Sequence, residues 1–321
     1  MMFEFFPPPP RQITFLWRLT LLLVAVFFAV TSADLFAFCL VNDEEGGISS
    51  SAKIELLPDV PSGLFLQKDV WGDAVNENVQ AVLQSVFNVF SNIYGSEYIL
   101  RKNKSTIIKR ASLPRTLTDL SAIHLETKDR FWCQYMYQFA HELYHYTCGD
   151  PAEYVRHQWF EEMIAEMHSL YVLDAVADKW ETDPPYPNWS SFTPSIREYY
   201  DNAVRNDDIG MNDRELARFF KENRVILEKK PYIQFHKTTK VLDERADDES
   251  IRLASAFSPI LYKEVFKKDN NAWEALKVVH EMGRCEDLSF EEFINEWHSR
   301  CDDTRKGAVY KIANMMEVEL K

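Results

Sequence analysis

Residues 129–146 read DRFWCQYMYQFAHELYHY, and this stretch decides how the rest of the chain is interpreted. Its pattern predicts a helix, which the turn signal at residues 149–151 (GDP) ends. His141 and His145 are four residues apart, so both imidazoles lie on one face of that helix and can bind one Zn²⁺. Glu142 lies beside that face, where it can act on a water molecule as a general base.

A second acidic pattern follows at residues 159–166, which read WFEEMIAE. Catalytic zinc takes three protein ligands and keeps one open position, so Glu162 is the candidate third ligand. Glu166, one turn further on, can accept the distal N–H of a ligand histidine. The apolar neighbours favour partly buried carboxylates over a solvated acidic face, and Glu161 and Glu153 remain rival ligands.

The spacing of the two patterns makes a geometric prediction. If the helices met in a tight turn, Glu162 would lie about 15 Å along the second helix, far from the level of His145. Zinc binding therefore predicts that residues 148–157 are mostly loop and that the second helix begins near Gln158. It also requires the Glu162 carboxylate to lie within about 5 Å of both imidazoles, since bonds to zinc are about 2 Å long.

HELYH followed by WFEEMIAE resembles the gluzincin branch of the zinc metallopeptidases. The resemblance covers residues 70–180 and implies a zinc peptidase with an α+β, zincin-like fold. In that fold a small mixed sheet and a metal-binding helix precede a mainly helical C-terminal lobe. Glu162 matches the family's ligand position, and Glu166 stands where the family usually has aspartate.

The resemblance also suggests where a substrate and its oxyanion would bind. Zincins place a substrate-binding edge strand before the metal helix, which here corresponds to Ala122, Ile123 and His124. Related aminopeptidases carry a tyrosine that stabilises the oxyanion, but the matching position is Leu253, and their Gly-Ala-Met-Glu-Asn motif is missing. By residue type alone, the remaining candidates for this role are Tyr232, His236, Tyr262 and His280.

Along the chain, the patterns divide the sequence into four parts. They are a signal peptide or anchor (1–33), a linker with a short strand (34–72), a zincin catalytic core (73–180) and a helical C-terminal lobe (181–321). Within the core, residues 97–101 and 106–109 are further strand candidates. Ser289 and Glu292 form a capping-box pattern, and Cys285 and Cys301 are the best candidate disulfide pair.

The N-terminus carries an apolar run, residues 19–30, after two arginines. This pattern predicts a secretory signal cut after Ala33, with membrane anchoring through residues 13–41 as the alternative and a buried helix as a third interpretation. Basic residues before the run and acidic residues after it predict that the bulk of the chain is exported in the first two cases.

The 321 residues include 36 Lys+Arg and 50 Asp+Glu, which gives a net charge of −14. Such a chain repels phosphate backbones, so we expect no nucleic-acid partner. The function expected is an exported zinc metallopeptidase acting on a peptide or protein substrate. The alternatives are an inactive zincin-fold protein that binds a partner and a zinc hydrolase of another amide or ester. Oligomeric state is left open.

Overall fold

The computed structural model describes most of the chain after residue 53, and these residues form an α+β fold that is mostly helical. The described residues are 54–56, 63–101, 105–117, 121–149, 157–206, 209–244, 250–282, 285 and 287–321. The predicted leader (1–33) and anchor (13–41) lie outside them. Across the described ranges, no helix is both long and apolar enough to cross a membrane.

Five short strands form a mixed sheet in the N-terminal half. They are β1 (Ile54–Leu56), β2 (Leu64–Gln67), β3 (Thr106–Arg110), β4 (Arg115–Leu117) and β5 (Ala122–Leu125). Their order is β1-β2-β3-β5-β4, with β2, β3 and β5 parallel and with β1 and β4 antiparallel at the two ends. The small mixed sheet predicted from the sequence is therefore present, and β1 and β2 come from the stretch 34–72.

Helices make up most of the remaining described chain. They are α1 (Asn76–Tyr94), α2 (Ser96–Ile99), α3 (Trp132–Cys148), α4 (Gln158–Thr182), α5 (Thr193–Asn206), α6 (Asp213–Lys229), α7 (Ser258–Leu261), α8 (Asn271–Glu281), α9 (Phe290–Arg300) and α10 (Asp303–Met315). Helix α9 begins with the predicted capping box, in which Ser289 and Glu292 each bond the other's backbone N–H.

The five-stranded sheet has an apolar inner face. Side chains alternate between the two faces along each strand, so residues paired across strands lie on the same face. Leu66, Ile108 and Ile123 are directly paired across neighbouring strands, so they share this face, and each is at most 1% exposed. Helix α3 packs against β4 and β5, and α1 packs against α3. Packing on the sheet thereby fixes the position of α3 relative to the end strand β4.

Helix α4 is the central helix of the fold and packs against α1, α3, α5 and α7. Because neighbours surround it, its first turns are buried on every side, as expected for a helix with apolar residues all round. Glu161, Glu162 and Glu166 share that burial and are at most 9% exposed. Buried carboxylates are costly unless they are paired, so these three residues require partners.

A second, smaller sheet lies in the C-terminal half and was not predicted from the sequence. It consists of β6 (Gln234–His236), β7 (Leu242–Asp243) and β8 (Ser250–Arg252), in the antiparallel order β7-β6-β8. Phe235 on β6 is fully buried. The sheet ends at Arg252, whose side chain reaches the start of α4.

Strand β5, which carries Ala122, Ile123 and His124, is not an edge strand, and this corrects the expectation from the sequence. It pairs in parallel with β3 on one side and antiparallel with β4 on the other. Strand β4 precedes β5 in the chain but lies beyond it in the sheet, so β5 is an inner strand. His124 is buried between Lys109 and Arg115, and burial together with these two charges lowers its pKa to about 4. The end strand of the sheet is β4.

Two other local predictions are wrong. The strand predicted at residues 97–101 is helix α2, because Gly95, with a φ of 80°, lets the chain turn directly from α1 into another helical turn. The disulfide predicted between Cys285 and Cys301 is absent, since Cys301 carries a free, buried thiol.

Candidate metal centre

Helix α3 places His141 and His145 one turn apart, as the sequence predicts. Their Nε2 atoms are 3.2 Å apart, and each side chain is 15% exposed. The helix ends directly after this pair, where Gly149 takes a φ of 100° and donates its N–H to the His145 carbonyl. Both imidazoles therefore point to one location near the C-terminal end of α3.

Helix α4 brings Glu162 to the same location. Its Oε2 lies 3.4 Å from His141 Nε2, and its Oε1 lies 3.7 Å from His145 Nε2. The helix begins at Gln158, where the geometric prediction from the sequence required it to begin. The Glu162 carboxylate also meets the predicted limit of about 5 Å from both imidazoles.

The three side chains fit a zinc ion by donor type and by spacing. Two ligand atoms bonded to a tetrahedral zinc at about 2.05 Å are about 3.3 Å apart. The two Nε2 atoms are 3.2 Å apart, and each lies near one oxygen of the Glu162 carboxylate: 3.4 Å from Oε2 for His141 and 3.7 Å from Oε1 for His145. One ligand atom from each residue lies within 4.8 Å of the other two. Two imidazole nitrogens and one carboxylate oxygen also form a donor set that holds catalytic zinc and leaves a position open.

Each histidine has a second carboxylate behind it. His145 Nδ1 is 2.7 Å from Glu161 Oε1, and His141 Nδ1 is 3.5 Å from Glu166 Oε2. The Glu161 contact has the length of a hydrogen bond, and a proton on His145 Nδ1 would leave Nε2 as the metal-binding atom, whereas the Glu166 contact is an ion-pair distance. Glu166, predicted to accept the distal N–H of a ligand histidine, lies at an ion-pair distance from His141, while Glu161, a rival ligand in that prediction, lies behind His145. The other rival, Glu153, lies outside the described residues.

Glu142 lies beside the three potential ligands and is 4% exposed. Burial raises the pKa of its carboxyl group, while His141, His145 and a hydrogen bond from Thr116 act in the opposite direction. The Thr116 hydroxyl, on β4, donates to the Glu142 Oε2 at 2.9 Å. A carboxyl group with a raised pKa and a fixed orientation is a better proton acceptor than an ordinary glutamate.

Arg252, like Thr116, is a residue at this centre that the sequence did not reveal. Its Nη1 donates to Glu162 Oε2 at 2.8 Å, and its guanidinium carbon lies 5.3 Å from the centre of the Tyr232 ring. Burial opposes ionisation of Glu162, but His141, His145 and Arg252 together hold its pKa well below the usual range. No spacing signal connects residues 162 and 252, because only tertiary folding brings them together.

The centre carries an excess of negative charge. Glu142, Glu161, Glu162 and Glu166 lie within it, and the Arg252 guanidinium contacts Glu162. Metal binding requires neutral imidazoles, and in that state four carboxylates against one guanidinium leave a formal charge of −3. Buried charges of one sign repel strongly at low dielectric, so a divalent cation among them is electrostatically favourable.

Of the four residues proposed by type as oxyanion donors, Tyr232 lies next to this centre. Its hydroxyl accepts a hydrogen bond from Gln158, at the start of α4. Burial, with the nearby Glu162 charge, raises its pKa far above the usual range, so it stays protonated. The others have different contacts: Tyr262 with Asp174, His280 with Tyr98, and His236 with Thr239.

Comparisons with protein-family models, with curated proteins and with solved structures find no match to this chain. The chemistry of the centre must therefore be inferred from its own residues. Among the described residues, His141, His145 and Glu162 form the group of His, Cys, Asp and Glu side chains with the spacing of a metal site.

Proposed function

We propose that this protein is an exported, zinc-dependent metallopeptidase of the gluzincin type that hydrolyses peptide bonds in peptide or protein substrates. One observation carries the proposal: the Nε2 atoms of His141 and His145 and the Glu162 carboxylate converge, with the buried Glu142 carboxyl group beside them. The α+β architecture supports the zincin-like fold, because a mixed sheet precedes the helix that carries both histidines.

His141, His145 and Glu162 would hold the zinc ion. When bound, zinc supplies a Lewis acid that polarises the scissile carbonyl and lowers the pKa of a water molecule towards about 7. Glu161 would keep His145 in the tautomer that presents Nε2, and Glu166 lies behind His141 at a longer distance. Arg252 fixes the orientation of the Glu162 carboxylate through Oε2.

Glu142 is the proposed general base. Its carboxylate takes a proton from the attacking water and then donates that proton to the nitrogen of the leaving amine. The raised pKa of Glu142 favours this exchange, since a strongly acidic carboxyl group would be a poor proton acceptor at neutral pH. Tyr232 stays protonated and is the proposed hydrogen-bond donor to the oxyanion that develops on the substrate.

Strand β4 is the proposed substrate strand, in place of β5. It forms the end of the five-stranded sheet, and its Thr116 contacts Glu142. An extended peptide that adds to β4 through main-chain hydrogen bonds would pass beside the three ligand residues. The exported location rests on the apolar run at residues 19–30 and its flanking charges.

Digestion of a broad peptide library, with and without a chelator, tests the proposed function. We expect new cleavage products that a chelator abolishes and that added Zn²⁺ restores, because the ligand set is complete within one chain. Glu222→Gln, at an exposed position of α6, is the matched control and should cleave as the wild type does. Zinc binding without cleavage of any peptide would instead favour the inactive partner-binding protein.

The two carboxylates behind the histidines allow a graded prediction. Glu161→Gln should weaken zinc binding by about 10–100-fold, the usual cost of losing an outer partner of a ligand histidine. Glu166→Gln should weaken it less, because the Glu166 contact is 3.5 Å long and the Glu161 contact is 2.7 Å. Competition with a calibrated zinc chelator measures both affinities. An equal effect of the two changes would contradict the proposed difference.

A further inference from the structure

Thr116 connects the end strand of the sheet to the proposed general base. Its hydroxyl oxygen lies 2.8 Å from the main-chain carbonyl oxygen of Glu142 and 2.9 Å from Glu142 Oε2. Both are acceptors, so the hydroxyl hydrogen bonds one or is shared between them. The contact spans 26 positions of sequence and is therefore made by tertiary packing of β4 on α3.

The direction of Thr116 follows from the strand register. Thr116 is paired with Ile123 across β4 and β5, and residues directly opposite each other in an antiparallel pair share one face. Ile123 is fully buried on the inner face of the sheet, against which α3 packs. Thr116 therefore points at α3, whereas its neighbours Arg115 and Leu117 point to the opposite face.

We infer that Thr116 is a positioning residue for Glu142, and that it fixes the Glu142 carboxylate relative to a substrate bound on β4. The inference rests on the proposed function. A carboxyl group that moves protons must be held in hydrogen-bonding reach of its partners. Thr116 lies on the strand to which the substrate would add, and it holds the Glu142 carboxylate in place. The positions of the base and of the scissile bond would therefore both be set by β4.

A pair of substitutions at Thr116 separates the hydroxyl group from the shape of the side chain. Thr116→Val keeps the branched shape and removes the hydrogen bond, whereas Thr116→Ser keeps the hydroxyl and loses the methyl group. We expect Thr116→Val to lower kcat by about 10–100-fold while KM changes by less than about threefold. Thr116→Ser should stay within about threefold of the wild type, and all three proteins should bind equal amounts of zinc.

Thr147→Val is a matched control on α3. Thr147 is fully buried, and its hydroxyl donates to the Leu143 carbonyl within the same helix, so the change removes a buried hydroxyl without touching a carboxylate. Its kcat should remain within about threefold of the wild-type value. If kcat of Thr147→Val fell as far as that of Thr116→Val, the loss of any buried hydroxyl that contacts α3 would explain both results. That outcome would overturn the inference.

A structural readout keeps the inference testable without turnover. In crystals of Thr116→Val, the Glu142 carboxylate should leave its place beside β4, and in Thr116→Ser it should remain there. An unmoved carboxylate in Thr116→Val, or an unchanged kcat, would overturn the role of Thr116 while the proposed function stood. If the wild type showed no chelator-sensitive cleavage, the proposed function would fail, and the carboxylate position alone would decide whether Thr116 holds Glu142.

Discussion

Glu142→Gln is expected to keep its zinc and to lose about 10²–10⁴-fold in kcat, the usual contribution of a general acid–base group. Glutamine has almost the same shape as glutamate and can still accept the Thr116 hydrogen bond, so the local packing should be preserved. It cannot accept a proton from water at neutral pH. The change therefore removes proton transfer and leaves His141, His145 and Glu162 in place.

The measurement requires two readings on the same preparation. Metal analysis should give the same zinc content for Glu142→Gln and the wild type, and kcat on a cleaved peptide should differ by the stated factor. Glu222→Gln, which makes the same chemical change at an exposed position, should match the wild type in both. Full activity in a zinc-loaded Glu142→Gln preparation would exclude Glu142 as the base.

The ligand residues could be predicted because their relation is local or nearly so. Two histidines four residues apart share a helix face whatever the rest of the fold does. The position of Glu162 followed from one further condition, that both helices meet at the level of His145, and α4 does begin at Gln158. Helix period and rise fix the histidine pair and the level at which α4 must begin. They leave Glu161 and Glu153 as rival ligands, and the packing of α4 against α3 brings Glu162 to the Nε2 atoms of both histidines.

Arg252, Thr116 and the role of Glu161 could not be predicted because they depend on tertiary contacts. Arg252 comes from a sheet whose strands have two or three residues, too short for an alternating pattern to be visible. Thr116 lies on a three-residue strand with the same limitation. The spacing of Glu166 from Glu162 predicts a partner for a ligand histidine, but only the packing of α4 against α3 decides which imidazole it faces and brings Glu161 to His145.

Burial gives the carboxylates of α4 their chemical role. On an exposed helix, three glutamates would be solvated and would contribute little. In the centre of the fold each has a partner: His145 for Glu161, His141 for Glu166, and Arg252 with both histidines for Glu162. Because each buried carboxylate needs a partner, these pairs hold the side chains in fixed orientations. The same contacts therefore avoid unpaired buried charges and place the three potential ligands.

Glu162→Met should have the largest effect on the metal, and it should also reveal the role of Arg252. Loss of an outer partner of a ligand weakens zinc binding by about 10–100-fold, and loss of the ligand Glu162 itself should weaken it further. The change also leaves Arg252, whose side chain is 12% exposed, without the carboxylate it bonds. Breaking a buried ion pair by removing one member costs about 3–5 kcal/mol, so the metal-free protein should unfold at a lower denaturant concentration.

The double variant Glu162→Met with Arg252→Met separates the two effects. Removing both charges eliminates the guanidinium that has lost its Glu162 carboxylate, so the metal-free protein should regain most of the lost stability, as replacement of a buried pair by apolar groups often allows. Zinc binding should stay weak, because the third ligand is still missing. Denaturant unfolding of the metal-free proteins and chelator competition measure the two quantities independently. Near-wild-type zinc affinity in either variant would show that Glu162 is not a ligand, and an equally unstable double variant would show that Arg252 does not depend on Glu162.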